Sequence, residues 1–439
     1  MENSKTFKNK LTAVKGMNDL LPHNSYQWLW LTNKLQDWLQ LYAYSYINTP
    51  ILEYTDLFKR SIGEFTDIVE KEMYSFIDGL NGDKLTMRPE GTASVMRLAI
   101  EHNLLYNNTQ KFWYLGPMFR HEKPQKGRYR QFHQLGVEAL GFKDCNIDTE
   151  MIQMLHHLWQ ILGLNNVELH INCLGNTDER LLYRETLIKY FEQHLNILDE
   201  DAKRRLYENP LRILDSKNPK LLSIINAAPS LLDFLSTESL EYYNSWKIQL
   251  SSLGIKFTEN TRLVRGLDYY NLSVFEWIIN DANNLLGSQS TIAAGGRYDG
   301  LYKLLAHTEE SVPAIGFAVG LERLLFVLEQ YSLLPAENTT DIFIANMLHT
   351  ESNVTPEQIN IYSFKIASLL RQNNFTVIQN FNNTSIKSQF KKANTLKIKY
   401  VIIIGVDELQ TNTVMLKYMD TGVQFKFTLT ELLAHLINI

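Results

Sequence analysis

The stretch from Gly116 to Gly141, GPMFRHEKPQKGRYRQFHQLGVEALG, constrains the fold of this chain more than any other. It reads as a β-hairpin with a long basic tip. The incoming arm, Lys111–Glu122, carries Phe112, Trp113, Tyr114, Leu115, Met118 and Phe119, which suit a pleated sheet. The tip, Lys123–Arg130, holds Lys123, Lys126, Arg128 and Arg130 with Pro124 and Gly127, and the outgoing arm, Gln131–Gly141, returns to apolar residues. Side chains alternate faces along a strand. Arg120 and Glu122 therefore share one face of the first arm, and Phe132, Gln134, Gly136 and Glu138 share one face of the second. A hydrophobic core does not ask for an arginine, two carboxylates and an amide on one face, because each unpaired buried polar group costs about 1–3 kcal/mol. A site for a charged, partly aromatic ligand does. The competing reading is a solvated hairpin whose polar face meets water. By the same parity, His121 and His133 point away from such a site.

The rest of the chain bounds what the hairpin belongs to. Its 439 residues suggest roughly two to four domains. A net charge of −5 argues against a general nucleic-acid binder, so any such binding must come from local basic patches. Cys145 and Cys173 have no metal-ligand spacing and fit a reducing compartment. The N-terminal MENSKTFKNK lacks a signal-peptide core, and the apolar run 312–321 is far short of the ~20 residues that span a bilayer. A soluble, cytoplasmic protein with no membrane partner is the expectation.

In chain order, residues 24–42 have the spacing of an amphipathic helix, with Asn24 or Ser25 as its cap. A strand at Tyr46–Thr49 ends at Pro50. A loop and then a strand near Met73–Ile77 follow. Leu85–Arg88 suits a strand, and a helix opens at Thr92 or Ser94. Glu90 stands at that handover, either as a carboxylate favoured by the helix N-terminus or, with Thr92, as a receiver of a ligand ammonium. Asp148–Leu162 reads as a helix and Val167–Cys173 as a strand. Residues 176–253 show no strand pattern but do show a capping-box spacing at Asn176 and Glu179, which predicts a helical insertion. LVRGLDYYNLSVFEWI, 263–278, places Arg265, Tyr269 and Tyr270 between apolar arms, and AAGGRYDG, 293–300, reads as a glycine-rich turn. In AIGFAVGLERLLFVLEQY, 314–331, a strand runs into a helix with Arg323 in its first turn, where the dipole disfavours a cation. An anion opposite, or an ion pair with Glu322, would relieve that. Residues 332–340 form a polar linker. Beyond it, alternating strands and helices predict a small α/β domain with a parallel core sheet, and 385–399 carries a basic run that includes Lys387 and Lys391.

Several separated motifs together resemble the histidyl-tRNA synthetase family over nearly the full length. They are KGMNDLLP (15–22), the Pro50 strand, RPEGTA (88–93), the hairpin, LVRGLDYY, AAGGRYDG and GFAVGLERL. The resemblance implies an α+β catalytic domain on an antiparallel sheet, in two parts, 1–175 and 254–331, around the insertion 176–253. An anticodon-binding α/β domain would occupy 341–439. It implies a homodimer that activates histidine with ATP, magnesium accompanying, and passes it to tRNA(His). Arg120 and Arg265 would hold the α-phosphate and the reacting carboxylate. Glu90, Gly91, Thr92, Gln134, Glu138, Tyr269, Tyr270 and Tyr298 would form the histidine pocket, with Glu138 and Tyr270 on the imidazole nitrogens. Glu122, Arg128, Arg130, Phe132 and Arg323 would serve ATP. Lys123, Gln125, Lys126, Lys387 and Lys391 would meet tRNA.

Overall fold

The computed structural model describes residues 11–63, 66–125, 127–214, 216, 218–280, 290–336, 340–347, 354–381 and 384–438. They form two compact units that divide between Pro335 and Ala336. The first unit opens with α1 (Pro22–Leu41), whose buried stripe is Leu31, Leu35, Trp38 and Leu39. Pro22 occupies the first helical position, where its fixed φ and missing N–H cost nothing. Neither Asn24 nor Ser25 caps this helix; the boundary residue is Leu21, and the Ser25 hydroxyl donates to Pro22 O at 2.8 Å.

β1 (Ser45–Tyr46) is shorter than the expected strand, and β2 (Leu52–Tyr54) and α2 (Thr55–Ile62) follow. A π-helical turn at Ile68–Glu72 stands where a loop was expected, ahead of β3 (Tyr74–Ile77) and β4 (Lys84–Met87). Strands β2, β4 and β3 form a small antiparallel sheet in that order. Arg88, at its end, is buried. It donates to Thr49 O at 2.8 Å and Pro117 O at 3.0 Å, welding this sheet to the larger one.

Then come α3 (Thr92–Glu101), β5 (Gln110–Phe119), β6 (Gln131–Leu140), α4 (Asn146–Ile161) and β7 (Val167–Cys173). The next segment is helical: α5 (Thr177–Glu192), α6 (Glu200–Glu208), α7 (Leu222–Asn226) and α8 (Thr237–Ser252). The Asn176–Glu179 capping box is formed. The last helix is no part of a free-standing body, because Tyr243, Trp246 and Leu250 pack into the main core beside Met151 and Leu155. β8 (Thr258–Glu259), β9 (Asn271–Ile279), β10 (Thr291–Arg297), α9 (Leu301–Ala306), β11 (Ala314–Gly320) and α10 (Leu321–Gln330) complete the unit.

The large sheet has eight strands in the order β1-β5-β6-β11-β10-β9-β7-β8, parallel only in its two edge pairs. One face, with Leu135, Val137, Phe275 and Phe317, packs on α1, α4, α8 and α10. The other, with Tyr114, Met118 and Val274, faces α3 and α5 and leaves a cavity. AAGGRYDG is not a turn: most of it is β10, in the middle of this sheet. A Cβ at Gly295 would collide with the Gly316 carbonyl, so its glycine is needed for close strand approach. Arg297 ends β10 and is buried against Asp148, Nη2 to Oδ2 2.8 Å, which fixes the position of Tyr298 next to it.

The second unit holds β12 (Ile342–Asn346), α11 (Pro356–Gln372), β13 (Val377–Gln379), α12 (Ile386–Thr395), β14 (Tyr400–Ile404), α13 (Val406–Thr411), β15 (Thr413–Tyr418), β16 (Gln424–Thr428) and α14 (Leu429–Ile437). The sheet order is β13-β12-β14-β15-β16, parallel over the first three strands and antiparallel beyond. Only α13 is unforeseen; its six residues are too few for a periodic signal.

Candidate active site

A cavity of about 410 Å³ lies on the second face of the large sheet, between the β5–β6 hairpin, the loop before β9, strand β10 and the start of α10. Its size suits a small-molecule site. The hairpin register pairs Phe132 with Met118, Gln134 with Gly116, Gly136 with Tyr114 and Glu138 with Phe112, so these side chains share one face. Phe132 and Gln134 line the cavity, as do Arg120 and Glu122 just beyond the end of β5. His133 points the other way, with Nδ1 2.8 Å from Glu322 and its ring against Trp28. His121 packs edge-on against Tyr74. The parity argument therefore holds for both imidazoles, and Glu322 is engaged by His133 rather than by Arg323.

At one end the cavity is floored by a buried carboxylate. Glu138 Oε2 accepts from the Tyr298 hydroxyl at 2.5 Å, and Oε1 accepts from Thr92 Oγ1 at 2.7 Å and Tyr114 Oη at 3.4 Å. Burial pushes its pKa from 4.5 to about 8, against the hydrogen bonds from Tyr298 and Thr92 and with help from nearby Glu90. Glu138 and Tyr298 thus lie just beneath the lining, while Glu90, Thr92, Tyr269 and Tyr270 form it. Glu90 takes up the helix N-terminus and also lines the cavity. Its oxygens accept the Thr92 and Ala93 amides at 2.7 and 2.9 Å, capping α3, and Tyr269 Oη lies 3.5 Å from the same carboxylate. Burial nevertheless raises its pKa.

Arg120, Arg128, Arg265 and Arg323 belong to the same lining. Burial lowers the pKa of Arg323, and Arg128 and Arg120 lower it further while Glu276 opposes them. Arg120 and Arg128 are lowered too, first by burial, with Glu72 acting the other way on both. Positive groups that depress one another mark a place where an anion is favoured. Arg265 differs: burial works against its charge, but Tyr270 and Glu276 outweigh it and raise its pKa. Its Nη1 meets Glu276 Oε1 at 2.6 Å and its guanidinium lies 5.4 Å from the Tyr270 ring centre. Its buried Nε has no hydrogen-bond partner among the described residues. Arg120 Nε donates to Pro89 O at 2.8 Å, and its guanidinium lies over Phe132 at 5.3 Å.

Other expected residues fall elsewhere. Arg130 does not reach the cavity. Its Nε donates to Glu122 O at 3.1 Å and its Nη1 to Lys15 O at 3.4 Å, tying the hairpin to the KGMNDLLP segment. Glu122 is ion-paired with Arg128. Gly91 is not lining; a Cβ there would collide with Tyr114. Lys123 and Gln125 are exposed on the tip, and Lys387 and Lys391 are exposed on α12. Lys126 lies outside the described residues. Tyr114, Tyr129 and Thr291 line the cavity unforeseen. Tyr114 shares the parity of Arg120, so alternation could have found it.

The match to known proteins decides the family. The family model described as "Histidyl-tRNA synthetase" matches residues 16–324, and the one described as "Anticodon binding domain" matches residues 343–439. The chain belongs to the histidyl-tRNA synthetase family. It is 50% identical over 429 residues to the histidine–tRNA ligase of Laribacter hongkongensis, covering 97% of this chain and 98% of that one. It is 48% identical over 430 residues to that of Dechloromonas aromatica, covering 98% and 97%. Among solved structures, apo S. aureus histidyl-tRNA synthetase superposes with a TM-score of 0.78 at 36% identity, covering 97% of this chain and 99% of that one. This family has the architecture described above, an α+β catalytic sheet followed by a separate α/β unit.

Proposed function

We propose that the protein joins histidine to tRNA(His) in two steps, of which the first consumes ATP. The observation that carries this reading is one cavity that has a hydroxyl-ringed carboxylate just beneath its lining and arginines that depress one another within it. Histidine fits over the carboxylate. Glu138, with Tyr270 across the lining, offers partners for both imidazole nitrogens, and a side chain lacking them strands buried polar groups. Glu90, Thr92 and Gln134 take the ammonium.

The histidine carboxylate attacks the ATP α-phosphate, expelling pyrophosphate and leaving histidyl-adenylate. The terminal ribose hydroxyl of tRNA then attacks the adenylate carbonyl, releasing AMP. No protein nucleophile takes part, so catalysis is positioning and charge stabilisation. Arg120 and Arg265 hold the carboxylate and α-phosphate, the latter through its unpartnered Nε. Arg128 and Arg323 hold the outer phosphates. Adenine stacks on Phe132, on the ring face that Arg120 leaves open or after that guanidinium moves. Magnesium enters with ATP. Among the described residues no group of three His, Cys, Asp or Glu side chains could cage it. Of the carboxylates lining the cavity, Glu122 is already paired with Arg128, Glu90 accepts the Thr92 and Ala93 amides, and Glu322 is held by His133.

The protein works in the cytoplasm as a homodimer, its tip residues Lys123 and Gln125 and its α12 lysines Lys387 and Lys391 meeting tRNA. Support for the dimer comes from the small sheet, where Leu52, Tyr54, Phe76 and Ile77 are exposed, with Tyr46 exposed at the end of the large one. Among the described residues no helix is long and apolar enough to cross a membrane. The test is histidine-dependent exchange of pyrophosphate into ATP. Exchange is expected with histidine and with none of the other amino acids; exchange with another amino acid alone, or none at all, overturns the reading.

A further inference from the structure

Between Arg265 and Tyr270, which face the cavity, one side chain of the same loop turns outward. Asp268 Oδ1 accepts from Asn209 Nδ2 at 2.9 Å, and Arg212 Nη2 stands 3.6 Å from the same oxygen. Asp268 N donates to Ile62 O at 3.1 Å, and the carboxylate is packed so close to Gly63 that a Cβ there would collide with it. One turn on, Arg180 of α5 donates to the Tyr270 carbonyl. Three side chains of the helical segment thus grip a loop whose other face lines the cavity. The same segment also reaches the opposite wall. Arg204 pairs with Glu70 at 3.0 Å and Arg205 with Asp67 at 3.2 Å, on either side of Ile68, itself a lining residue.

We propose that Asp268 is the clasp through which the helical segment sets the shape of the amino-acid end of the cavity. Asp268, Asn209 and Arg212 are positioning residues: none lines the cavity, and all act through Tyr269 and Tyr270. The Arg212 contact is slack. Its buried Nη2 has no hydrogen-bond partner among the described residues, and a loop shift of about half an ångström would bring Asp268 into hydrogen-bond range. Occupation of the amino-acid end, which presses on Tyr270, and movement of the helical segment are then coupled through one carboxylate. Coupling of this kind runs both ways.

The inference rests on the proposed histidine activation, and its test separates the two. Exchange kinetics are measured for wild type, Asp268→Asn, Arg212→Ala and the double variant. Each single variant should raise the histidine KM about tenfold, as loss of a charge-assisted contact does, and leave the ATP KM within about twofold. The double should be no worse than the poorer single, because both break one contact. Amide hydrogen exchange over residues 264–270 should quicken in Arg212→Ala. Equal rises in both KM values, additive losses, or unchanged amide exchange overturn the clasp. If Asp268→Asn does not fold, Asn209→Ala and Arg212→Ala each remove one contact to Asp268 from the helical side, and a histidine KM unchanged in both overturns the clasp. Wild type inactive with histidine overturns the reaction instead, and the amide exchange still judges the clasp.

Discussion

Glu138 is 1% exposed, and a carboxyl group at that depth holds its proton more readily than it releases it. Its pKa of about 8 lies above the 4.5 it has in the unfolded chain. A raised folded-state value means that folding favours the protonated form. The contribution is whole below about pH 4.5 and is lost as pH rises through about 8. Glu138→Gln mimics the neutral form at every pH, so its melting temperature relative to wild type should climb between about pH 5 and about pH 9. Calorimetry across that range checks it; a flat difference would show that the surrounding hydroxyls hold the carboxylate ionised. Tyr114 makes a second residue-scale case. Its ring fills space left by Gly91 and Gly136, and a Cβ at either would collide with it. Gly136→Ala should therefore cost about 1–3 kcal/mol in urea unfolding, and adding Tyr114→Leu should restore most of it. This packing was hidden in the sequence. A tyrosine among Phe112, Trp113 and Leu115 reads as one more strand apolar, and its glycine partners stand 23 residues before it and 22 after it. The places of Arg120, Glu122, Phe132 and Gln134 in the lining are legible because strand alternation is a local rule, whereas the tip has no period to read and Arg130 lies outside the lining.

At the scale of elements, the helix starting at Leu321 has a cation in its first turn, which the helix dipole opposes. Arg323 is turned back toward the sheet, its Nη1 donating to Thr291 O at 2.6 Å, in a group that includes Arg120 and Arg128. The element thus presents a cation to the cavity. Arg323→Ala should lower the rate of pyrophosphate exchange about 100-fold, as loss of one preorganised charge on a reacting phosphate chain does, and raise the ATP KM more than the histidine KM. Steady-state exchange against each substrate separates the two; equal effects on both would move Arg323 away from the phosphates. The same scale shows where pattern reading stops. β7 and β15 match their expected bounds, being long runs of alternating residues. The sequence of β10 reads as a turn because Gly295 and Gly296 are turn residues in most settings. The close approach of the Gly316 carbonyl of β11 at Gly295 and of the Ser273 carbonyl of β9 at Gly296 calls for glycine at both, and that is a tertiary fact no local window holds.

At the scale of the molecule, each unit has a core of its own. Ile342, Ile344, Ile366, Leu370, Ile402 and Leu416 belong to the second unit alone, and its sheet shares no strand with the first. Every residue lining the cavity lies before Pro335. Chemistry on the small substrates and recognition of a distant part of tRNA are therefore separable in the chain. With a net charge of −5 the protein has no overall attraction for RNA, so tRNA affinity must come from local basic patches, and the exposed α12 lysines are the patch to test. A chain ending at Pro335 should keep histidine-dependent pyrophosphate exchange within a few-fold of the full chain while losing most tRNA charging. In the full chain, Lys387→Glu with Lys391→Glu should weaken tRNA binding about tenfold or more and flatten its salt dependence, without changing exchange. Filter binding at two salt concentrations, alongside the exchange assay, checks both. Loss of exchange in the truncated chain would show that the second unit supports the cavity as well as the tRNA, and an unchanged salt slope in the lysine variant would move the RNA contact off α12.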